Sequence, residues 1–392
     1  MLDDFLQKDT MTDQGREQVA DIYAHTKQYD KALKLYKDVL QNSENQSESV
    51  KNNLKDKIEK AKNHEDMHLF DRIDDAKEGT AVALFDMAES LANDYNADSG
   101  RVFAQMALYL DPKLAPAHIL LAQIASDYKR YDQALAEFQK IDPEDPHYID
   151  AQLAAADILE DAKRYDEALG ILSHLDKEYG NFEAVVRQGD LYRHREDYAN
   201  ALKSYNQAFD RLGQKVPDQY WYLYYVRGMV NERLGNWTQA ESDLKEALSY
   251  QPDHPYLLNY LGYAWADQDM HLDQALAMIE KASALRPEDG YITDSLGWVL
   301  FRMDQYERAV PELERAVELL PYDPVINDHL GDAYWKVGRT LEARFQWQRA
   351  KNYSEDTKLI DQIKHKIVYG LNDADGADAG KTKAAALDSR AQ

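Results

Sequence analysis

Apolar residues along this chain return at helical spacing, in runs separated by short polar breaks. Such spacing lays one apolar stripe on each helix, and breaks this short join neighbouring helices that run antiparallel. The runs themselves repeat. A Leu-Gly pair stands at Leu261-Gly262, Leu296-Gly297 and Leu330-Gly331, with glycine spacings of 35 and 34. Ala309 and Ala343 come thirteen residues after Leu296 and Leu330, Ala316 and Ala350 seven further on, and Pro252, Pro287 and Pro321 close successive units. Upstream the small slot is filled by Gly228, Gly189, Ala156, Ala122 and Ala88, and Ala20 lies two periods before Ala88. Two helices approach to about 8–10 Å only where side chains are small, so Gly297 is expected to face Ala309 and Ala316. Leu296, Tyr306 and Leu313 supply the apolar faces, and Pro321 stops the second helix because the residue before a proline is pushed out of the α region. One helix pair cannot bury both its faces, so pairs must stack on one another.

The types and offsets of these residues resemble the tetratricopeptide repeat, over most of the chain. Clear units centre on Ala20, Ala88, Ala122, Ala156, Gly189, Gly228, Gly262, Gly297 and Gly331, and a tenth, Ser47–Glu78, keeps the length while Asp66 takes an alanine slot. The resemblance implies an all-α, right-handed superhelical solenoid of nine to ten antiparallel helix pairs. It also implies a non-enzymatic scaffold or adaptor that holds a partner protein or peptide in its concave groove. The expected divisions are an N-terminal extension (1–13), a repeat unit (14–46), the degenerate helical repeat (47–80), further units (81–210), an insertion or hinge (211–220), units with an aromatic and acidic groove (221–353), a capping helix (354–369) and a disordered tail (370–392). More narrowly, NYLGYAWAD, DSLGWVLFR and NDHLGDAYWKVGR resemble the last repeats of proteobacterial envelope tetratricopeptide proteins. Some of those are lipoprotein adaptors of carboxyl-terminal processing proteases, which would imply an envelope protease or assembly partner. The chain lacks their lipobox cysteine and signal peptide, so anchoring and compartment do not transfer.

In that family the second, fifth, ninth and twelfth slots of each first helix line the groove. Here they bring Tyr222, Tyr225 and Met229 from one unit and Tyr256, Asn259 and Tyr263 from the next. Tyr291, Asp294, Trp298 and Phe301, then Asp328, Asp332 and Trp335, continue the stripe. Relatives that clamp acidic tails carry Lys, Asn and Arg in the fifth and ninth slots, whereas this chain carries Asp294, Asp328 and Asp332, with Asn259 the one match. Aromatic side chains make strong binding anchors, and carboxylates beside them select a basic or neutral partner rather than an acidic one. The alternative is a structural component of an envelope assembly, acting through its ends and convex face.

Composition narrows the function further. With 46 Lys and Arg against 71 Asp and Glu, the formal net charge is −25, which would repel nucleic acid. Gly (17) and Pro (11) are sparse, as long helices require, and the absence of Cys removes thiolate chemistry and Cys-type metal sites. No apolar run is long enough for a transmembrane segment, and residues 1–18 do not form a signal peptide. As written the chain is expected to be soluble and cytoplasmic, or periplasmic or outer-membrane-associated if an export segment precedes it. His64, Glu65 and His68 match H-E-x-x-H, the zinc-hydrolase pattern, but Asp66 charges the helix and no strand-forming segment exists to hold a substrate. The expected reading is a polar second helix without metal. Residues 376–382 imitate a phosphate loop with one residue too few between the glycines, and no cofactor is expected. Pro311 should kink its helix slightly.

Overall fold

The structure, a computed structural model, describes residues 13–42, 48–64, 76–93, 96–213 and 215–371. Among these every regular element is helical, and the chain divides into two compact units, Met1–Ala151 and Gln152–Gln392. The first contains α1 (Asp13–His25), α2 (Tyr29–Asn42), α3 (Glu48–Lys62), α4 (Ala76–Asn93), α5 (Ala97–Leu110), α6 (Ala115–Asp127) and α7 (Tyr131–Phe138). The boundary falls inside α8 (Tyr148–Asp161). The second unit continues with α9 (Tyr165–Tyr179), α10 (Phe182–His194), α11 (Tyr198–Leu212), α12 (Trp221–Arg233) and α13 (Trp237–Tyr250). It ends with α14 (Pro255–Asp267), α15 (Leu272–Leu285), α16 (Gly290–Arg302), α17 (Tyr306–Leu319), α18 (Pro324–Lys336), α19 (Thr340–Tyr353) and α20 (Thr357–Tyr369).

Within each unit a helix packs chiefly on its neighbours in sequence, and in the second unit α14, α16 and α18 also stack on one another. First helices start on explicit caps. Asp289 accepts from the Tyr291 and Ile292 N–H groups at 2.9 and 3.2 Å, and Asp323 from Val325 and Ile326 at 2.9 and 3.1 Å. Pro324 at the first turn of α18 loses no bond there, because its N–H would have had no helical partner. α17 runs from Tyr306 to Leu319 through Pro311.

The small slot behaves differently from the expectation. A Cβ on Gly297 would lie 2.5 Å from Leu313 Cγ, and one on Gly228 2.9 Å from Leu244 Cγ. The glycine therefore faces the large side chain of the second helix, while Ala309 and Ala316 are fully buried at either side of it. Contact is close because a knob enters a hole, not because two small surfaces touch.

A second periodic feature has no signature in residue type. Lys129, Lys163, Glu196, Gly235, Asp269, Asp304 and Gly338 all have φ between 55° and 81°, each seven residues after the small slot of its unit. This left-handed residue closes each first helix. The Lys163 N–H donates to Glu160 O at 2.8 Å and Arg164 N–H reaches back to Leu159 O at 2.7 Å. Lys27 and His64 occupy the same position after α1 and α3. Counting back seven from His64 places Lys57 in the small slot of α3. Its ammonium bonds Glu17 at 2.7 Å and Asp21 at 3.1 Å.

The insertion, described except for residue 214, belongs to the second unit. Gly213, at φ 75°, ends α11, and Asp218–Tyr220 form a 3-10 turn whose Tyr220 ring meets Phe182 edge-on at 5.1 Å. Arg211 donates to Gly180 O and Asn181 O at 3.3 and 3.2 Å. The extra residues fold back on the preceding repeat, and the division between units falls elsewhere, at residues 151 and 152.

Candidate functional site

Side chains of α8, α10, α12 and α14 enclose a cavity of about 490 Å³ in the second unit. Its apolar wall is Trp221, Tyr222, Tyr225, Val226, Met229 and Tyr256, and its polar wall is Asp157, Glu160, Arg187, Asp190, Arg193, His194 and His254. Tyr222 and Tyr256 are half-buried and so present to the cavity, whereas Tyr225 and Met229 are buried and form its floor. Tyr225 meets Tyr260 edge-on at 5.8 Å.

The polar wall is internally paired. Arg187 bonds Asp157, donates from Nε to Glu183 at 3.0 Å and reaches Leu153 O at 3.4 Å. Arg193 Nη2 lies 2.9 Å from His194 Nε2, and because a guanidinium only donates, that ring nitrogen accepts. His194 Nδ1 then carries the proton and donates to Glu160 at 2.6 Å. Tyr205 donates to Asp190 at 2.7 Å and receives Arg193 Nε at 3.3 Å, with its hydroxyl pushed well above the usual range by burial and by the Asp190 charge. Burial, with Glu183 and Asp190 nearby, raises the Tyr222 hydroxyl too, so it stays protonated as a donor. This cavity offers aromatic faces, a hydroxyl donor and nearly balanced charge.

Farther along, the structure covers most of the expected stripe. Asn259, Tyr263, Asp294, Trp298, Phe301, Asp328 and Asp332 are all buried; Tyr291 and Trp335 are half-buried. Trp298 is fully buried, with Phe301 stacked 5.0 Å away on its ring and His329 4.0 Å away. The carboxylates are engaged by other helices of the same chain. Asp294 holds His329 Nδ1 at 2.8 Å. Lys366 of α20 donates to Asp328 at 3.0 Å and to Asp332 at 2.7 and 2.8 Å, while Trp347 Nε1 donates to Asp332 at 2.8 Å. Burial alone would depress the Lys366 ammonium, but the two aspartates carry it above its ordinary value. The expectation that Asp294, Asp328 and Asp332 select a partner's charge is therefore corrected: these groups are buried and hold helices together. Trp298 is likewise a packing residue, not a surface anchor.

Arg187, Trp221, His194 and His254 join the cavity although the groove slots alone do not point to them. A signal was available, since Glu160 and His194 stand 34 residues apart, and so do Asp332 and Lys366. In each pair a carboxylate meets a basic residue one period further on, across two packed helices.

Of the H-E-x-x-H segment only His64 is described. α3 ends at Lys62, and His64 lies in a turn at φ 55°, stacked 4.7 Å from the Tyr29 ring. His64 therefore stands off the helix; Glu65 and His68 lie outside the described residues, as do residues 1–12 and the tail from 372. Among the described residues no three His, Asp or Glu are placed to hold a metal ion, and no helix is long and apolar enough to cross a membrane.

Comparison with known proteins bears on the repeats. Models of the tetratricopeptide repeat match residues 127–187 and 225–271. A repeat-containing protein of Pseudomonas aeruginosa is 37% identical over 87 residues, which is 22% of this chain and 15% of that protein. The chain thus spans a small part of the length of this curated relative. Among solved structures, a tetratricopeptide repeat protein from Parabacteroides merdae superposes with a TM-score of 0.47 at 14% identity, covering 75% of this chain and all of that one. A thermophilic repeat protein of Thermus thermophilus gives 0.41 at 20% identity, covering 48% of this chain and 100% of that one.

Proposed function

Since the chain carries tetratricopeptide repeats, which suggest a protein-interaction scaffold, we propose that it binds a segment of a partner protein in the cavity of α8, α10, α12 and α14. The observation that carries this reading is the aromatic wall: Trp221, Tyr222 and Tyr256, none of them fully buried, line one side of an opening large enough for a bulky side chain. Rigid amphipathic rings give contact area at low entropic cost. Because each carboxylate of the polar wall lies beside Arg187, Arg193 or His194, the favoured partner is neutral with apolar or aromatic anchors, in place of a strongly basic one. The stripe of candidate contacts contracts to Tyr222, Tyr225, Met229 and Tyr256.

Selection of a displayed peptide library against the whole protein tests it. Peptides enriched on the wild type should bind a folded Tyr222→Ala, Tyr256→Ala variant at least about tenfold more weakly, the loss of about 1.4 kcal/mol or more expected at anchors. Equal binding would remove the cavity from the site. A second reading, a structural part of an envelope assembly acting through its ends, draws support from Leu341, Phe345, Val368 and Tyr369, which α19 and α20 leave exposed among the described residues. Under that reading the cavity substitutions are silent.

A further inference from the structure

A separate cavity of about 360 Å³ opens where α12 ends and α13 begins, against the end of α14. Its walls are Glu232, Arg233, Trp237, Tyr263, Asp267 and Gln268, with Gly235 and Ala264 completing them. Arg233 is nine-tenths buried, yet its Nε and Nη2 meet no hydrogen-bond acceptor among the described residues. The indole Nε1 of Trp237 is also buried without an acceptor. Three donors are thus buried in the walls of one cavity, in a fold whose other buried polar groups are largely paired. Buried donors of this kind are costly unless something accepts from them.

The opposite edge supplies acceptors. Glu232 lies 3.6 Å from Arg233 Nε, too far for a hydrogen bond, and receives the Tyr260 hydroxyl at 3.2 Å. Asp267 lies 3.8 Å from Arg302 Nη1. Both carboxylates line the cavity and, being ionised, present only acceptors to it. Arg302 is bonded by Asp269, so the charged side chains in the cavity walls are Arg233, Glu232 and Asp267: an anion would meet the two carboxylates and a cation the buried guanidinium. A group that fits must be neutral, must accept from Arg233 and Trp237, and must donate toward Glu232 and Asp267.

We propose that this cavity binds a primary carboxamide, the side chain of glutamine or asparagine, with its carbonyl oxygen on the Arg233 guanidinium and Trp237 indole N–H and its NH₂ toward Glu232 and Asp267. The assignment does not rest on the aromatic-cavity reading, because its donors are different residues. Carboxamide chemistry could come from a partner protein or from a free amino acid, and the probes separate the two.

The test monitors the Trp237 indole N–H by proton–nitrogen NMR on the whole protein, its resonance identified by its loss in Trp237→Phe. N-acetyl-L-glutamine methylamide should shift it saturably in the millimolar range, while the matching glutamate and norleucine amides leave it in place. Free L-glutamine binding more tightly than the blocked form would assign the amino acid, and the reverse a protein side chain; either supports the carboxamide. Arg233→Met should weaken the response at least tenfold. Should that variant not fold, Trp237→Phe is titrated with the Gly235 amide as reporter and should show the same weakening. Absence of any shift would overturn the proposal and leave the cavity to water. An equal shift with the glutamate amide would overturn it in favour of an anion site, and an undiminished response in Arg233→Met would overturn it as well.

Discussion

Gly297 shows how one atom can set a helix-to-helix distance. An alanine there would drive its Cβ to 2.5 Å from Leu313 Cγ and 3.3 Å from the Leu313 backbone N, and Leu313 is fully buried. Gly297→Ala should therefore destabilise by about 1–3 kcal/mol, despite alanine's better helix propensity. Urea unfolding measures this, and a variant as stable as the wild type would show that the two helices part freely. Glu137 illustrates a single charge tied to pH. Its carboxylate faces His118 Nδ1 at 2.7 Å and receives Lys140 at 2.8 Å, and the His118 contact first, then Lys140, hold it below the usual glutamate range. A depressed folded value means the stabilisation is complete above the ordinary value of about 4.3 and is lost as pH falls through the lower folded one. The stability gap between wild type and Glu137→Gln should narrow as pH falls below about 4. A gap that does not shrink as pH falls below about 4 would exclude the ion pair as its source.

At the scale of the element, α20 is held by a buried charge as well as by Leu359 and Ile363. Lys366 is 3% exposed and contacts both Asp328 and Asp332, so removing it takes the shared cation from two buried carboxylates. Lys366→Met should cost about 3–5 kcal/mol, because an ion pair broken on one side leaves its partners uncompensated. Local opening should precede global unfolding. Amide exchange is expected to accelerate across residues 357–369 while α1 to α7 keep their protection, and unchanged exchange in α20 would mean that apolar contacts alone seat it.

Across the whole molecule, what the sequence reveals and what it hides divide along one physical line. Features that recur within a unit are legible: the helix pairs, the small slot at Gly228, Gly262, Gly297 and Gly331, and the stops at Pro287 and Pro321. Features that arise between units are not, because burial depends on what the next repeat lays over a face. Trp298 and Asp328 look like groove residues within their own helices and become core residues once α18 and α20 cover them. Tyr222, Tyr256 and Tyr291 share the second slot and remain half-buried, whereas the fifth and ninth slots, which hold Asp328 and Trp298, are buried in each of these units. Residue identity also conceals the left-handed turns, since lysine, glutamate and aspartate fill positions where glycine would be the easy choice.

That turn position, at Lys129, Lys163, Glu196, Gly235, Asp269, Asp304 and Gly338, also constrains how such a chain can lengthen or shorten. Each left-handed residue lies at one fixed distance from the knob-and-hole contact of its own unit, so losing a single codon inside a first helix would pull the two out of phase. Loss or duplication of a whole period restores both at once. The spacing of 39 between Glu196 and Gly235 fits this rule, because its extra residues enter after α11 and before α12, in the gap between one unit's last helix and the next unit's first. An insertion at a seam leaves this phase intact, whereas a one-residue deletion inside a first helix is expected to destabilise its unit.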